Sequence, residues 1–181
     1  NRAWTQCNTK GHSDYLSRKG VGGHGVRYTE TGALVVPITN MNGNIHGMQY
    51  IFPTGQPRRK KIKREKEYWP AGLAKQSNYH LIGGTPENLC LVAEGYAPAA
   101  TLFEATGIPV AIAFDAGNLL PVAQNLHKRY PQAKLIFCAD DDYLQKCAAC
   151  GKMTRVESSL CTHCNEPHKK SNAGIAAAST A

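Results

Sequence analysis

The chain has 181 residues, 42% of them hydrophobic and 19% charged, with a formal net charge of +8. That size suits one domain, or one domain with a small appendage, and the composition is that of a globular protein. No apolar run approaches the roughly 20 residues a bilayer-spanning helix needs, and no signal segment opens the chain, so the expectation is a cytoplasmic protein without a membrane partner. The positive balance favours nucleic acid or another polyanion. The start at Asn1 and the small-residue tract at the end read as a piece of something larger.

In chain order, residues 1–19 read as a helix or helical turn carrying Trp4, Tyr15 and Leu16, broken near Gly11. A glycine cluster, Gly20–Gly25, follows; its spacing is not that of a dinucleotide fingerprint. His24 and Arg27 just beyond it are weak candidates for phosphate contacts, and more often such residues brace a turn. Residues 32–38 predict a strand, Asn40–Asn44 a hairpin turn, and Ile45–Phe52 the returning strand. Residues 53–80 predict an exposed basic loop ending in a short strand near Tyr79–Ile82. Gly83-Gly84-Thr85-Pro86 marks a boundary, which divides the chain into an N-terminal β-rich unit (1–83) and a second domain (84–181).

From Leu89 the pattern becomes strand, helix, strand, helix, strand. The first strand ends at Glu94. A helix over Ala97–Thr106 stops at Gly107, a natural C-cap. The next strand, Pro109–Phe114, ends at Asp115. A helix over Leu120–Tyr130 tolerates Pro121 in its first turn. The third strand, Lys134–Ala139, ends at Asp140-Asp141-Asp142. Such alternation with short loops predicts an α/β fold with a parallel sheet and right-handed crossovers.

Carboxylates at the C-terminal ends of buried strands lie where ligands bind in open α/β sheets. Glu94, Asp140 and Asp142, in a basic protein, suggest a divalent-metal site acting on phosphates, with Mg²⁺ or Mn²⁺ as the ion. Two aspartates one residue apart can share a metal, and Glu94 can join them or serve as general acid/base. The competing reading is a set of solvated turn carboxylates.

The seven cysteines fall into two sets. Cys90 and Cys138 lie in apolar runs and read as buried thiols, and Cys7 is isolated. Cys147, Cys150, Cys161 and Cys164 form two C-x-x-C pairs separated by ten residues. That pattern suits Zn²⁺ held by four thiolates in a closed, structural site; an iron–sulfur cluster is the competing metal reading, and free thiols or a redox pair are the bland ones. The module spans 143–170 and is inserted between the third strand and an Ala-rich helix that begins near Asn172. Lys146, Lys152, Arg155, Lys169 and Lys170 make it basic, which suggests contact with a template; a rigid staple is the alternative.

Seven of the 21 basic residues, Arg58, Arg59, Lys60, Lys61, Lys63, Arg64 and Lys66, sit together ahead of Trp69. Cations beside an exposed ring suit single-stranded nucleic acid; a solvated loop explains them equally well.

The ordered set Glu94-Gly95-Tyr96-Ala97, Ala113-Phe114-Asp115-Ala116-Gly117-Asn118-Leu119 and Ala139-Asp140-Asp141-Asp142 resembles the Toprim domain. Its closest likeness is to the primases of plasmids, phages and conjugative elements. The segments Asp14–Val21, His24–Arg27, Leu34–Ile38 and Gly47–Ile51 resemble the region preceding Toprim in those primases. The resemblance implies that Asp140 and Asp142 bind Mg²⁺ and that Glu94 serves in metal binding and acid/base chemistry, with Asp141 as the variable middle residue. It implies RNA primer synthesis on single-stranded DNA from nucleoside triphosphates, with a helicase domain or protein as a further partner. A Toprim nuclease and a non-catalytic, zinc-bearing DNA-binding module are the alternatives. Two departures stand out: Pro98 follows Glu-Gly-Tyr-Ala, and the cysteine module separates Asp142 from Asn172-Ala173-Gly174.

Overall fold

A computed structural model describes residues 2–55, 64–141, 143–167 and 172–181. The predicted N-terminal helix is two short pieces, α1 (Arg2–Thr5) and α2 (Asp14–Lys19). Between them the chain extends and bridges Asn8 to Tyr28. Tyr15 and Leu16 are the buried face of α2, and Gly20 ends it in the left-handed conformation (φ 65°).

Four antiparallel strands follow in the order β1 (Arg27–Tyr28), β2 (Leu34–Thr39), β3 (Ile45–Ile51) and β4 (Lys66–Trp69). The β2–β3 turn is the predicted one. Asn40 Oδ1 accepts from the amides of Asn42 (3.0 Å) and Asn44 (3.1 Å), and Gly43 supplies the positive φ. Strand β4 corrects the expectation of a loop over 53–80. Lys66-Glu67-Tyr68-Trp69 pairs with the otherwise open edge of β3, and Tyr68 packs against the core. Flanking charge and proline hid its period-two pattern.

The second sheet has the order β5 (His80–Ile82), β7 (Val110–Ile112), β6 (Leu89–Ala93), β8 (Lys134–Cys138). Strands β6, β7 and β8 are parallel, whereas β5 runs antiparallel to β7. The predicted parallel sheet is therefore a mixed one with an antiparallel edge. Strand β6 is apolar throughout because both of its faces are covered: Leu91 and Ala93 point into one core cluster, Cys90 and Val92 into the other.

The first cluster joins this sheet and helix α3 (Tyr96–Thr106) to Leu34, Val36, Ile38 and Ile51 of the first sheet. The second cluster lies under α4 (Leu119–Arg129), whose Leu119, Val122, Ala123 and Leu126 form one helical stripe. Pro98 falls in the first turn of α3, where its missing N–H breaks no helical bond. Beyond β8 come a hairpin, β9 (Leu144–Lys146) with β10 (Met153–Arg155), and finally α5 (Ala173–Thr180), which packs on α4.

The chain leaves β6 toward α3 on one face. It leaves β7 toward α4, on the other, and α5 after β8 lies on that same second face through Ala177 and Ala178. Divergent exits from neighbouring strands open a crevice at their carboxyl ends.

Candidate functional site

Three acids stand at that crevice. Glu94 follows β6, Asp115 follows β7 and Asp140 follows β8. Ala93 is aligned with Ile112 on one side and Cys138 on the other, so the three acids lie within a few residues of one another across adjacent strands. Glu94 and Asp115 are half-buried and Asp140 is exposed. The structure places Glu94 and Asp140 after neighbouring parallel strands. Asp142 lies outside the described residues.

Helix α5 closes the crevice despite the intervening cysteine module. Asn172 caps it by accepting the amide of Ile175, and its Nδ2 donates to Asp141 Oδ1 at 2.7 Å. Gly174 then lies so close that a Cβ on it would stand 2.4 Å from the Asp140 carbonyl oxygen and 2.7 Å from Glu94 Oε1. Only glycine fits there without displacement. Asp141 therefore anchors Asn172. Asn172 and Gly174 carried a signal in the sequence, but their return to the acids did not.

Sequence reasoning also missed the setting of Asp115. It forms an ion pair with Lys75, whose ammonium lies 4.5 Å over the Tyr68 ring. Partial burial works against the Lys75 charge, but the Asp115 hydrogen bond and Tyr68 outweigh it and hold the ammonium above its ordinary range. Tyr68 accepts from Gln49 Nε2 (2.9 Å) and donates to the Phe114 carbonyl (3.4 Å). Phe114 has φ 71°, a strained conformation for a bulky residue, immediately before Asp115. Asn118 locks the turn: its side chain accepts from Ser77 N–H and donates to the carbonyls of Lys75, Asn78 and Ala113.

Tyr96 of the Glu-Gly-Tyr motif is a brace. It is fully buried, accepts from the His24 amide (2.7 Å) and donates to the Gly22 carbonyl (3.1 Å). His24 Nε2 meets Glu104 Oε1 at 2.7 Å, and Arg27 donates to the Trp4 carbonyl with its guanidinium 4.7 Å over the Trp4 ring. Both residues support turns.

Of the basic set, Arg58, Arg59, Lys60, Lys61 and Lys63 lie outside the described residues. Arg64 is exposed. Lys66 as a residue is exposed, yet its ammonium lies 5.7 Å over the Tyr15 ring. Desolvation there pulls its pKa down, and Asp140 is among the charges that act on it. Trp69 is not brought to the acids. Lys66 and Tyr68 share one face of β4, and Trp69 lies on the other, lining a depression of about 430 Å³ with Tyr50 and Thr29.

The four cysteines converge: their sulfur atoms all lie within 4.8 Å of one another. Each C-x-x-C pair forms the same hook. The Cys147 amide donates to the Lys152 carbonyl (2.9 Å) and the Gly151 amide to the Cys147 carbonyl (2.9 Å); Cys161, Glu166 and Asn165 repeat both bonds at 2.8 and 2.9 Å. Gly151 (φ 72°) and Asn165 (φ 61°) occupy equivalent left-handed positions. The His163 amide donates to Cys161 Sγ at 3.4 Å and holds that thiol below its ordinary range, favouring the thiolate a metal requires. His163 Nε2 is engaged by the Met153 carbonyl. Among the described residues, this is the sole group of three or more such side chains gathered as a metal site.

A mixed α/β sheet with acids at its carboxyl crevice and a four-cysteine module is the class that fold and site define. The chain is 34% identical over 134 residues, 71% of its length, to DNA primase TraC of Escherichia coli, and is homologous to that part of it. It spans 12% of that relative, and 9% of a second TraC primase it matches at the same identity. No protein-family model matches the sequence. Among solved structures, the catalytic core of DnaG aligns with a TM-score of 0.49 and 14% identity, covering 71% of this chain and 54% of that one. The primase fragment of the bacteriophage T7 primase-helicase aligns with a TM-score of 0.49 and 16% identity, covering 77% and 59%. No helix among the described residues is long and apolar enough to cross a membrane.

Proposed function

We propose that this chain is the Toprim-like catalytic segment of a mobile-element DNA primase, making RNA primers on single-stranded DNA from nucleoside triphosphates. The observation that supports the reading is that Glu94 and Asp140 follow neighbouring parallel strands, with Gly174 lying against Glu94 Oε1 and the Asp140 backbone. Homology to TraC supports the choice of reaction.

Hard oxygen donors suit Mg²⁺ or Mn²⁺, and Glu94, Asp140 and Asp142 are the residues that would hold it. When bound, such an ion neutralises phosphate charge and favours an oxygen nucleophile. The chain's own part is placement. Glu94, half-buried at the end of β6, would take up the proton of the attacking hydroxyl. Lys66 near Asp140 and Lys75 beside Asp115 flank the acids with cations that attract the triphosphate. The basic residues 58–66 would hold the template backbone, and Trp69, on the far face, would meet bases only on a strand that wraps round the first sheet.

The four-thiolate set fits Zn²⁺, which would be held by Cys147, Cys150, Cys161 and Cys164 and would supply folding energy to the module. A cytoplasmic location and a helicase partner accompany the primase reading.

The test is primer synthesis by the purified chain on single-stranded DNA with ribonucleotides and Mg²⁺. Oligoribonucleotides that disappear in Asp140→Ala and Glu94→Gln are the expected result. Strand scission without synthesis would assign a nuclease instead, and DNA binding without either reaction a non-catalytic module.

A further inference from the structure

The β9–β10 hairpin of the cysteine module has two unlike faces. Its register pairs Lys146 with Met153, Gln145 with Thr154 and Leu144 with Arg155. Directly opposed residues of an antiparallel pair share a face. Thr154 is 2% exposed and its hydroxyl meets Thr162, so the Gln145–Thr154 face turns inward. Leu144, Lys146, Met153 and Arg155 form the other face. All four are exposed; Met153 at 52% and Leu144 at 40% are among the most open large apolar side chains of the molecule.

We propose that this outer face binds the single-stranded DNA template. The occupant follows from charge and shape. Residues 144–155 carry three cations, Lys146, Lys152 and Arg155, and no carboxylate. On the face itself a cation stands opposite an apolar side chain in both pairs, which offers a phosphate contact beside a surface for a base. None of the three cations has an ion-pair partner among the described residues. The position agrees: the hairpin begins three residues after Asp141, whose side chain is tied to Asn172 at the edge of the acidic crevice. The outer face therefore follows the acids closely along the chain. The proposal rests on the primase reading for the identity of the ligand.

The test uses the whole 181-residue chain. Affinity for a fluorescent oligothymidylate is measured by anisotropy across a salt series for wild type, Lys146→Ala/Arg155→Ala and Met153→Ala. A control, Lys128→Ala/Lys134→Ala, removes the same charge from exposed positions elsewhere. The hairpin double variant is expected to bind at least tenfold more weakly than the control. Its slope of log affinity against log salt should fall by about 1.4, roughly 0.7 per lost phosphate contact. Met153→Ala should weaken binding several-fold with the slope unchanged. Zinc content is measured in each protein. Equal affinities of hairpin and control variants would overturn the proposal, as would loss of zinc with DNA affinity kept, because the cations would then serve the tetrathiolate. Failure of the wild-type chain to bind would overturn it too. Synthesis lost in Glu94→Gln with binding intact separates this outcome from the fate of the primase reading.

Discussion

Asn172 Nδ2 donates to Asp141 Oδ1 at 2.7 Å, joining residues on opposite sides of the cysteine module. The same asparagine caps α5 through Ile175. Asn172→Ala removes both bonds, each worth about 1 kcal/mol. The expected outcome is a lower melting temperature and weaker Mg²⁺ binding by titration calorimetry. Asn172→Asp keeps the cap but sets a second carboxylate against Asp141. It should recover helicity by circular dichroism without recovering the metal affinity.

Gly174→Ala should separate stability from function. Within a helix, alanine is favoured over glycine by about 1 kcal/mol. Here the added Cβ would meet the Asp140 carbonyl at 2.4 Å and Glu94 Oε1 at 2.7 Å, so one or both must move. We expect primer synthesis to fall at least tenfold while the α-helical signal is retained. Unchanged synthesis would mean that Glu94 and Asp140 need not keep their present places.

Removing metal from the four-cysteine site should unfold the module and leave the two-cluster core intact. Cys164→Ser is expected to lower bound zinc from about one per chain to near none. Hydrogen exchange then reports the split: amides of Gln145 and Thr154 lose protection, whereas those of Leu91 and Val92 keep theirs.

His80 gives the fold a dependence on pH. It is fully buried, and its Nε2–H donates to the His24 carbonyl at 2.9 Å. Burial pulls its pKa from 6.5 down to about 4. Above pH 6.5 the ring is neutral in both states. As pH falls from 6.5 toward 4, the unfolded chain takes up a proton that the folded chain refuses, so stability drops, by up to about 3 kcal/mol. Melting curves of wild type and His80→Gln at pH 7 and pH 4.5 should show a smaller loss in the variant.

The strands that carry Glu94 and Asp140 were legible as apolar runs, but they differ in the structure: β6 is buried on both faces, whereas β8 is an edge strand with Ile136 40% exposed, which an apolar run alone does not show. The cysteine cluster was legible from spacing alone. What stayed hidden depends on contacts across long separations. Lys75 meets Asp115, and Asn118 reaches back to residues 75–78, across about forty residues of chain. Strand β4 exists because β3 offers an open edge, and its own four residues look like a polar loop. Trp69 sits one step along β4 from the face that carries Lys66 and Tyr68, a register that composition does not show.

The apolar cluster that runs from Leu34, Val36 and Ile38 into Leu91, Val110 and Ile112 has a mechanical corollary. A close-packed interior of this kind does not shear by small steps. The seat of Glu94 at the end of β6 is therefore set by the packing between the two sheets, and the carboxylate cannot shift without disturbing the interior of both.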